Sequence, residues 1–343
     1  MKNLPTFLRD TKHTLQIVEE IRAKIDNGEM SLDGVALVSL DIESMYNNMT
    51  TELGIEGVKS YLENRNLQNS DDQVCSQSIL DSLEFCLDNN YFSFGKKVYR
   101  QCGGVGTGLK LAPPYACLGV GKFEKIVFDN PNNQFHDMIL LWKRFIDDVL
   151  MLFRGTEEDC KTFVDWLNNQ VPGVIKFKYE YSEEKIQFLD LELSIENGTL
   201  ETDLFVKPTN AQLFLDYFSN HPQPCKEGIV HGEALRVVER CSKEEDKDLH
   251  LSKLKQKFLD RNYPEELVDQ KFEIVKKKDR KSLIHQNRKK KNDGSKVRLI
   301  FTHGEANPPI HMWMRQCKKM LKKNEKAKQI GDNIQIGLKQ KPQ

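Results

Sequence analysis

The chain has 343 residues, of which 38% are hydrophobic and 30% are charged, and its mean hydropathy is −0.58. This length is enough for a sizeable core divided over two or three structural units. No apolar run reaches the roughly 18 residues of a membrane helix, so we expect no membrane association. The N-terminus lacks an apolar signal core. We therefore expect an intracellular, reducing environment, and within the cell the nucleus.

The formal net charge is zero, but the charges are unevenly distributed along the chain. Residues 271–343 contain 21 Lys and Arg against 6 Asp and Glu, a net charge of +15, which leaves −15 on residues 1–270. Such asymmetry indicates a basic C-terminal segment that binds a polyanion. A solvated tail has the same composition, so charge alone does not separate the two interpretations.

In the first third of the chain, hydrophobic spacing predicts helices around one buried strand. Apolar residues at helical spacing predict a helix over residues 5–27. The continuous apolar run GVALVSLDI predicts a buried strand over 34–42. After it, helices are predicted from Thr50 or Thr51 and over 76–89.

The central part of the chain contains a glycine-rich loop between two predicted hairpins. Residues 91–101 alternate aromatic and polar side chains and predict a hairpin around Gly95. The loop that begins at residue 102 leads into a helix that reaches about residue 127. An apolar hairpin is predicted over 139–153, and an amphipathic helix over 157–170.

The last part of the chain changes from strands to helices and then to lysine-rich sequence. Three alternating segments, IKFKYEYS, IQFLDLELSI and LETDLFVKP, predict strands, and Asn197-Gly198 is a strong hairpin signal between the last two. Residues 211–275 are predicted to be helical. Beyond them, a strand, a proline turn and a short amphipathic helix lie among lysine runs. Because strands and helices mix without strict alternation, the predicted class is α+β.

Three aspartates lie in segments that are otherwise apolar, where a charged side chain is unexpected. Asp41 ends the predicted buried strand, and Asp147 and Asp148 interrupt the apolar run LWKRFIDDVLMLF. An acidic surface turn is the ordinary explanation of an Asp-Asp pair. If the strands are neighbours, however, three carboxylates meet at one sheet edge and repel one another unless divalent cations neutralise them. Oxygen ligands favour Mg²⁺, and two such ions can promote phosphoryl transfer.

The eight cysteines carry no comparable signal, because they are scattered and form no C-x-x-C pair. His221, Cys225, His231 and Cys241 are potential zinc ligands, but their spacing matches no standard zinc site. We interpret the cysteines as free thiols of a reducing compartment. Similarly, the glycine-rich loop lacks both a dinucleotide-binding fingerprint and the Gly-Lys-Ser/Thr of a P-loop.

An ordered set of motifs resembles the reverse transcriptases of Penelope-like retroelements. The motifs are LVSLDIESMYNN, GVGTGLKLAPPYACLGVGKFE, RFIDDVL, KIQFLDLEL and LFVKPTN…LDYFSNHPQPCKEGIVHGEALRVVERCS. The resemblance covers roughly residues 5–320. It implies a palm with an antiparallel sheet and packed helices and a remnant of the fingers (1–205), a helical thumb (206–275) and a basic C-terminal extension (276–343).

The resemblance also implies roles for individual residues. Asp41, Asp147, Asp148 and the Ile42 carbonyl match the metal-binding and catalytic positions, which implies two Mg²⁺ ions or, alternatively, Mn²⁺. Tyr46 matches the aromatic residue that excludes a nucleotide 2′-OH, although an ordinary core tyrosine would have the same surroundings. The positions that match template and nucleotide contacts are Gln101, Gly103, Gly104, Gly106, Gly108, Ala112 and Pro113. The positions that match primer and duplex contacts are Lys207, His221, Lys226, Arg236 and Arg240.

The implied activity is RNA-directed DNA polymerisation with an RNA template, a DNA primer and deoxynucleoside triphosphates. Relative to the family, the upstream finger strands and the GIY-YIG endonuclease domain are missing. The alternative is therefore a truncated, inactive remnant that only binds nucleic acid. A phosphotransfer receiver is excluded, because receivers need short parallel β-α units and Asp147-Asp148 lie in a hairpin. The sequence leaves the oligomeric state open.

Overall fold

The computed structural model describes residues 7–68, 76–285, 298–303 and 335–340 of the chain. They belong to two compact units, residues 1–285 and 286–343. The helices of the first unit are α1 (Thr11–Asp26), α2 (Met45–Asn48), α3 (Thr51–Gln68), α4 (Ser76–Asp88), α5 (Ala112–Phe128), α6 (Glu157–Asn168), α7 (Gln223–Arg240), α8 (Glu244–Leu259), α9 (Glu265–Lys276) and α10 (Arg280–His285). Its strands are β1 (Val35–Ile42), β2 (Tyr91–Phe94), β3 (Lys97–Arg100), β4 (Ile139–Phe145), β5 (Asp148–Arg154), β6 (Phe177–Ser182), β7 (Lys185–Phe188), β8 (Leu191–Glu196) and β9 (Thr199–Leu204).

The central sheet is four-stranded and antiparallel, with the strand order β4-β5-β1-β6. Its two inner strands, β1 and β5, are apolar along most of their length because helices cover one face and α1 with a second sheet covers the other. The second sheet, β7-β8-β9, is also antiparallel, and β2 and β3 form a separate hairpin. This mixture of helices and antiparallel sheets confirms the predicted α+β class.

The helices begin where the sequence supplies capping groups. The side chain of Asp10 accepts a hydrogen bond from the His13 amide at the start of α1. Thr156 and Asp159 form a capping box at the start of α6. These side chains satisfy amide groups that a helix N-terminus leaves without a backbone partner. The buried faces of α1 and α6 then pack against the sheets.

Three hydrophobic clusters organise the first unit. The largest lies between the central sheet and helices α3, α5 and α6, and the next lies between α1, the opposite face of β1 and β5, and the second sheet. A third cluster joins α7, α8, α9 and α10. None of the helices in the described ranges is long and apolar enough to cross a bilayer.

Two predicted elements differ from the structure. The segment predicted as one strand, IQFLDLELSI, forms β7 and β8, because the chain turns at Leu189, which has a φ of +57°. Residues 205–222 are not helical. There the side chains of Asn210 and Asp216 accept hydrogen bonds from the amides of Gln212 and Phe218. Such local turns compete with helix formation.

The second unit contains strands β10 (Arg298–His303) and β11 (Gln335–Gln340), which pair in parallel. The strand predicted in the basic extension corresponds to β10. The short amphipathic helix predicted after it lies outside the described residues. The predicted start of that extension, residue 276, ends α9, and α10 also belongs to the first unit.

Candidate active site

Three aspartates lie at one edge of the central sheet. Asp41 in β1 is paired directly with Asp148 in β5, and Asp147 belongs to the turn that joins β4 to β5. The Ile42 amide donates a hydrogen bond of 3.1 Å to the Asp147 carbonyl, which fixes the turn against the end of β1. Directly paired residues of antiparallel strands point to the same face of a sheet. The predicted meeting of these strand ends is therefore present in the fold.

The turn that presents Asp147 has two residues, and its first residue, Ile146, has a φ of +58°. This region is uncommon for any residue other than glycine and is costly for a β-branched one. The Ile146 carbonyl accepts a hydrogen bond of 2.8 Å from Arg144 Nη1. The strained turn is thus held by a side chain from the strand that precedes it.

Arg144 belongs to a buried charge network that sequence reasoning missed. It is fully buried, and its Nε donates to Glu124 Oε1 at 2.8 Å while its Nη2 donates to the Cys117 carbonyl at 3.2 Å. Trp142 Nε1 donates to the same Glu124 oxygen at 2.8 Å. Because Glu124 and Cys117 lie on α5, the network ties the aspartate turn to that helix. The available signal was the presence of charged residues in two otherwise apolar segments, β4 and α5.

The aspartates destabilise one another's charged forms. Burial, followed by the charges of Asp147 and Asp41, raises the pKa of Asp148 to about 6, and the nearby Lys207 opposes this shift. Burial and then the charge of Asp147 also raise the pKa of Asp41, which Lys178 opposes from the neighbouring strand β6. A bound cation would stabilise the charged forms of all three carboxylates.

The donor set fits divalent cations that prefer oxygen. The side chains at this edge are carboxylates, and hard ions such as Mg²⁺ or Mn²⁺ select such ligands. Ile42, whose carbonyl is a further predicted ligand, ends β1 beside Asp147.

Tyr46 lies next to the aspartates in the short helix α2. Burial and the nearby Cys117 and Asp147 raise its pKa. Its carbonyl accepts a hydrogen bond of 2.7 Å from the Val105 amide. Gly104, with a φ of +67°, lies so close that a Cβ there would be 2.6 Å from the Tyr46 carbonyl oxygen. The glycine-rich loop and the Tyr46 turn are therefore packed as one structure, so Gly104 contacts protein where the resemblance predicts template or nucleotide.

The other predicted residues of this loop fall into two groups. Gly103 and Gly108 border open space, whereas a Cβ at Gly106 would be 2.7 Å from the Asn90 side chain. The side chain of Gln101 accepts from Asn90 Nδ2 at 2.7 Å and donates to the Gly103 carbonyl at 2.9 Å. The remaining two predicted residues begin α5, where Ala112 is fully buried and Pro113 is half-buried. Full burial makes Ala112 inaccessible to a ligand.

The predicted primer-binding residues also fall into two groups, exposed side chains and side chains with partners inside the protein. Lys207 is exposed beyond β9 and lies close enough to Asp148 to lower the pKa of that carboxyl, so the structure brings Lys207 to the edge of the sheet that carries the aspartates. His221 is exposed near the start of α7. Lys226 is instead buried, and its Nζ donates a hydrogen bond of 2.5 Å to the Tyr217 carbonyl. Lys226 therefore has a partner within the protein, and its phosphate contact stays a prediction.

Arg236 and Arg240 likewise bind within the protein. Their Nε atoms donate to Asp190 Oδ2 at 3.0 and 2.6 Å, and Asp190 Oδ1 accepts from Thr11 at 2.7 Å. Asp190 lies in the turn between β7 and β8, so the two arginines of α7 join that helix to the second sheet and to α1. Both arginines therefore belong to a junction between elements, and their contact with a duplex stays a prediction.

Comparison with known proteins finds one matching family model and a curated relative of one segment. Residues 213–273 match the family model described as "Animal helix-turn-helix domain". A segment of 95 residues, 27% of the chain, is 33% identical to the telomerase reverse transcriptase of Takifugu rubripes, of which it covers 8%. The helix-turn-helix match includes α7, α8 and most of α9.

Two solved structures share the fold. Telomerase from Candida albicans in complex with the TWJ fragment of telomeric RNA aligns with a TM-score of 0.53 and 10% identity over 97% of this chain. Apo telomerase from Candida tropicalis aligns with a TM-score of 0.50 and 13% identity over 80%. The fold is that of a reverse-transcriptase-like palm and thumb. The chain spans about half of each of these telomerases, covering 55% and 47% of them.

Proposed function

We propose that this chain is the palm and thumb region of a reverse transcriptase of a Penelope-like retroelement. The proposed reaction is RNA-directed DNA synthesis, in which a primer 3′-OH attacks the α-phosphate of a deoxynucleoside triphosphate and pyrophosphate leaves. The observation that carries the proposal is the direct pairing of Asp41 with Asp148 beside the Asp147 turn. The order of the five sequence motifs supports the assignment to Penelope-like elements.

In this proposal Asp41 and Asp147 are the principal metal ligands, and Asp148 supports them. When bound, two Mg²⁺ ions, or Mn²⁺ ions, activate the attacking oxygen and stabilise the leaving oxygen. The Arg144–Glu124 network keeps the aspartate turn in place, because Arg144 binds the Ile146 carbonyl. Most of the protein's contribution is therefore positioning and charge neutralisation.

Substrate selection is assigned to residues around this edge. Tyr46 lies beside Asp147, where its ring would exclude the 2′-OH that distinguishes a ribonucleotide. Gly103 and Gly108 border open space and allow close approach of a template backbone. Lys207 would bind a primer phosphate, which is supported by its electrostatic effect on Asp148. We further propose that the protein acts in the nucleus.

Primer extension tests this function on the full chain. We expect a DNA primer on an RNA template to be extended with deoxynucleotides in the presence of Mg²⁺ or Mn²⁺. Ribonucleotides should be incorporated far less, and chelation of the divalent ions should stop the reaction. The same sample is assayed for binding of the primer–template duplex with and without Mg²⁺.

The rival function predicts a different pair of results. A truncated remnant would bind the duplex equally well with and without Mg²⁺ and would extend no primer with either nucleotide class. That combination would refute the polymerase proposal. Extension restricted to ribonucleotides would retain the polymerase and refute the assignment of Tyr46.

A further inference from the structure

A second group of potential metal ligands lies at the start of the thumb, formed by residues from three elements. Asp203 is near the end of β9, Cys241 directly follows α7, and His250 is in α8. Their ligand atoms all lie within 4.8 Å of one another, and Cys241 is buried while the other two are partly exposed. His250 Nε2 is 3.0 Å from Asp203 Oδ1 and 3.2 Å from Oδ2.

The backbone that carries two of these residues is fixed by hydrogen bonds. The Ser242 amide donates to the Thr202 carbonyl at 2.8 Å, and the Thr202 amide donates to Ser242 Oγ at 2.9 Å. Thr202 Oγ1 also donates to the Arg240 carbonyl at 2.7 Å. Asp203 and Cys241 are the neighbours of these bonded residues, so their separation is set before any ligand arrives. Such preorganisation favours binding of a metal ion.

The three donors form a set that is typical of zinc. Zinc is bound by cysteine sulfur, histidine nitrogen and carboxylate oxygen at about 2.0–2.3 Å, which places the ligand atoms of a tetrahedral site roughly 3–4 Å apart. The distances here need only small side-chain adjustments to reach that geometry. A thiolate is a poor ligand for Mg²⁺, so this group differs chemically from the aspartate edge.

Charge and access are also suitable. One carboxylate and one thiolate neutralise a divalent ion, which reduces the cost of placing its charge in a partly buried site. Asp246 precedes His250 by one turn of α8 and interacts electrostatically with both His250 and Asp203. A cavity of about 340 Å³ is lined by Asp203 and His250, so solvent can reach a fourth coordination position.

We propose that Asp203, Cys241 and His250 bind one zinc ion, with solvent as the fourth ligand. The ion would cross-link the end of β9 to α7 and α8, and so would stabilise the attachment of the thumb helices to the second sheet. Its ligands come from separate parts of the fold, and their spacing matches no standard zinc motif. This site is independent of the proposed polymerase activity.

Cobalt binding to the metal-stripped full chain tests the proposal. Co²⁺ replaces Zn²⁺ in such sites, and bonding to a thiolate gives a charge-transfer absorption band. We expect the wild-type chain to develop this band with one equivalent of Co²⁺ and to lose it when Zn²⁺ is added. Cys241→Ser should abolish the band. His250→Gln should weaken metal affinity at least ~100-fold, the upper end of the effect of losing an outer partner of a metal site.

The matched control is Cys225→Ser, which removes an exposed thiol from α7, the helix that Cys241 follows. We expect Zn²⁺ to raise the melting temperature of the wild type, because the ion cross-links three parts of the fold. Cys225→Ser should retain both the Co²⁺ band and this increase. If Cys241→Ser fails to fold, the partly exposed His250 still provides the test through His250→Gln. No band in the wild type, or an unchanged band in His250→Gln, would overturn the proposal and leave an Asp203–His250 ion pair.

Discussion

Asp148 illustrates how a single residue at the aspartate edge of the central sheet affects stability. Its pKa in the folded protein is about 6, compared with an ordinary value of 3.8, because it is buried near Asp147 and Asp41. The folded state therefore binds this proton more tightly than the unfolded state does. The resulting contribution to stability is fully present below pH 3.8 and is lost as the pH rises through about 6.

Asp148→Asn removes this titration. The difference between pKa values of 3.8 and about 6 is equivalent to about 3 kcal/mol if fully expressed. Because solvent screens the partly exposed carboxylate, we expect the metal-free variant to gain about 1 kcal/mol over the wild type between pH 4 and 7. Urea unfolding at several pH values measures this. Asp165→Asn, an exposed change in α6, is the control. If the difference in unfolding free energy between the wild type and Asp148→Asn did not change with pH, the raised pKa of Asp148 would be contradicted.

The buried pair Arg144–Glu124 gives a second prediction at this scale. Glu124→Gln leaves the fully buried Arg144 without its counter-charge, and loss of one partner of a buried pair costs about 3–5 kcal/mol. We expect a loss of this size in the free energy of unfolding, together with slower primer extension because Arg144 holds the Ile146 carbonyl. Urea denaturation and extension assays measure the two effects.

The control for this prediction is Glu56→Gln, which breaks an exposed pair between α3 and Lys122 of α5. Exposed pairs contribute about 0–1 kcal/mol, so this variant should resemble the wild type. Equal effects of the two substitutions would show that Arg144 does not depend on its buried partner.

The sequence predicts some of these residues and not others for a physical reason. Asp41, Asp147 and Asp148 interrupt apolar strands, which is unusual enough to be noticed without a structure. Arg144 and Glu124 interrupt apolar segments as well, but their pairing depends on the packing of β4 against α5. Arg236 and Arg240 have the composition of a duplex-binding face, and only the position of Asp190 gives them another role.

At the scale of elements, local patterns predict the existence of helices and strands better than their ends. Apolar periodicity locates α1, α3, α4 and α6 and both strands of the aspartate hairpin. The turn at Leu189 is concealed because the segment IQFLDLELSI contains no glycine or proline and mixes apolar and polar residues as a single strand does. The group of Asp203, Cys241 and His250 could not be found from spacing, since it forms only when β9, α7 and α8 pack together.

The contact between the glycine-rich loop and α2 provides the prediction at this scale. In Gly104→Ala the new Cβ would lie 2.5 Å from the Asn47 carbonyl oxygen, at a φ of +67° that disfavours alanine. We expect displacement of the Tyr46 turn, a loss of about 1–3 kcal/mol in unfolding free energy and reduced extension. Denaturation and extension assays measure these effects.

Gly103→Ala is the matched control, because no atom lies within 4 Å of the added Cβ and the backbone has no positive φ. It should leave stability nearly unchanged. If Gly104→Ala behaved like Gly103→Ala, the loop would not be needed to hold Tyr46 in place.

At the scale of the whole molecule, charge divides between the two compact units. Residues 286–343 contain 15 Lys and Arg against 4 Asp and Glu, a net charge of +11, and residues 1–285 have a net charge of −11. Several internal partners hold the basic side chains of the thumb, as for Lys226 and Arg240. We therefore assign most non-specific nucleic-acid affinity to residues 286–343.

Salt-dependent binding tests this assignment. The logarithm of duplex affinity should fall linearly with the logarithm of salt concentration, at roughly 0.9 per phosphate contact. We expect a chain that ends at residue 285, the end of the first unit, to bind more weakly and with a shallower slope. Substitution of Lys289, Lys290 and Lys291 by Gln in the full chain should reduce the slope by up to about 3. Identical slopes for all three proteins would assign binding to the first unit instead.

Nucleotide addition by an Asp147 variant tests the central claim most directly. Asp147→Asn removes one charge from the proposed metal site, so we expect extension of a DNA primer on RNA to fall at least ~100-fold. Duplex affinity should remain that of the wild type, since the basic residues are unchanged. The metal-free variant should be at least as stable as the wild type, since one of three mutually repelling charges is removed. Asp165→Asn should extend the primer normally. Extension by Asp147→Asn at a rate comparable to the wild type would contradict the account.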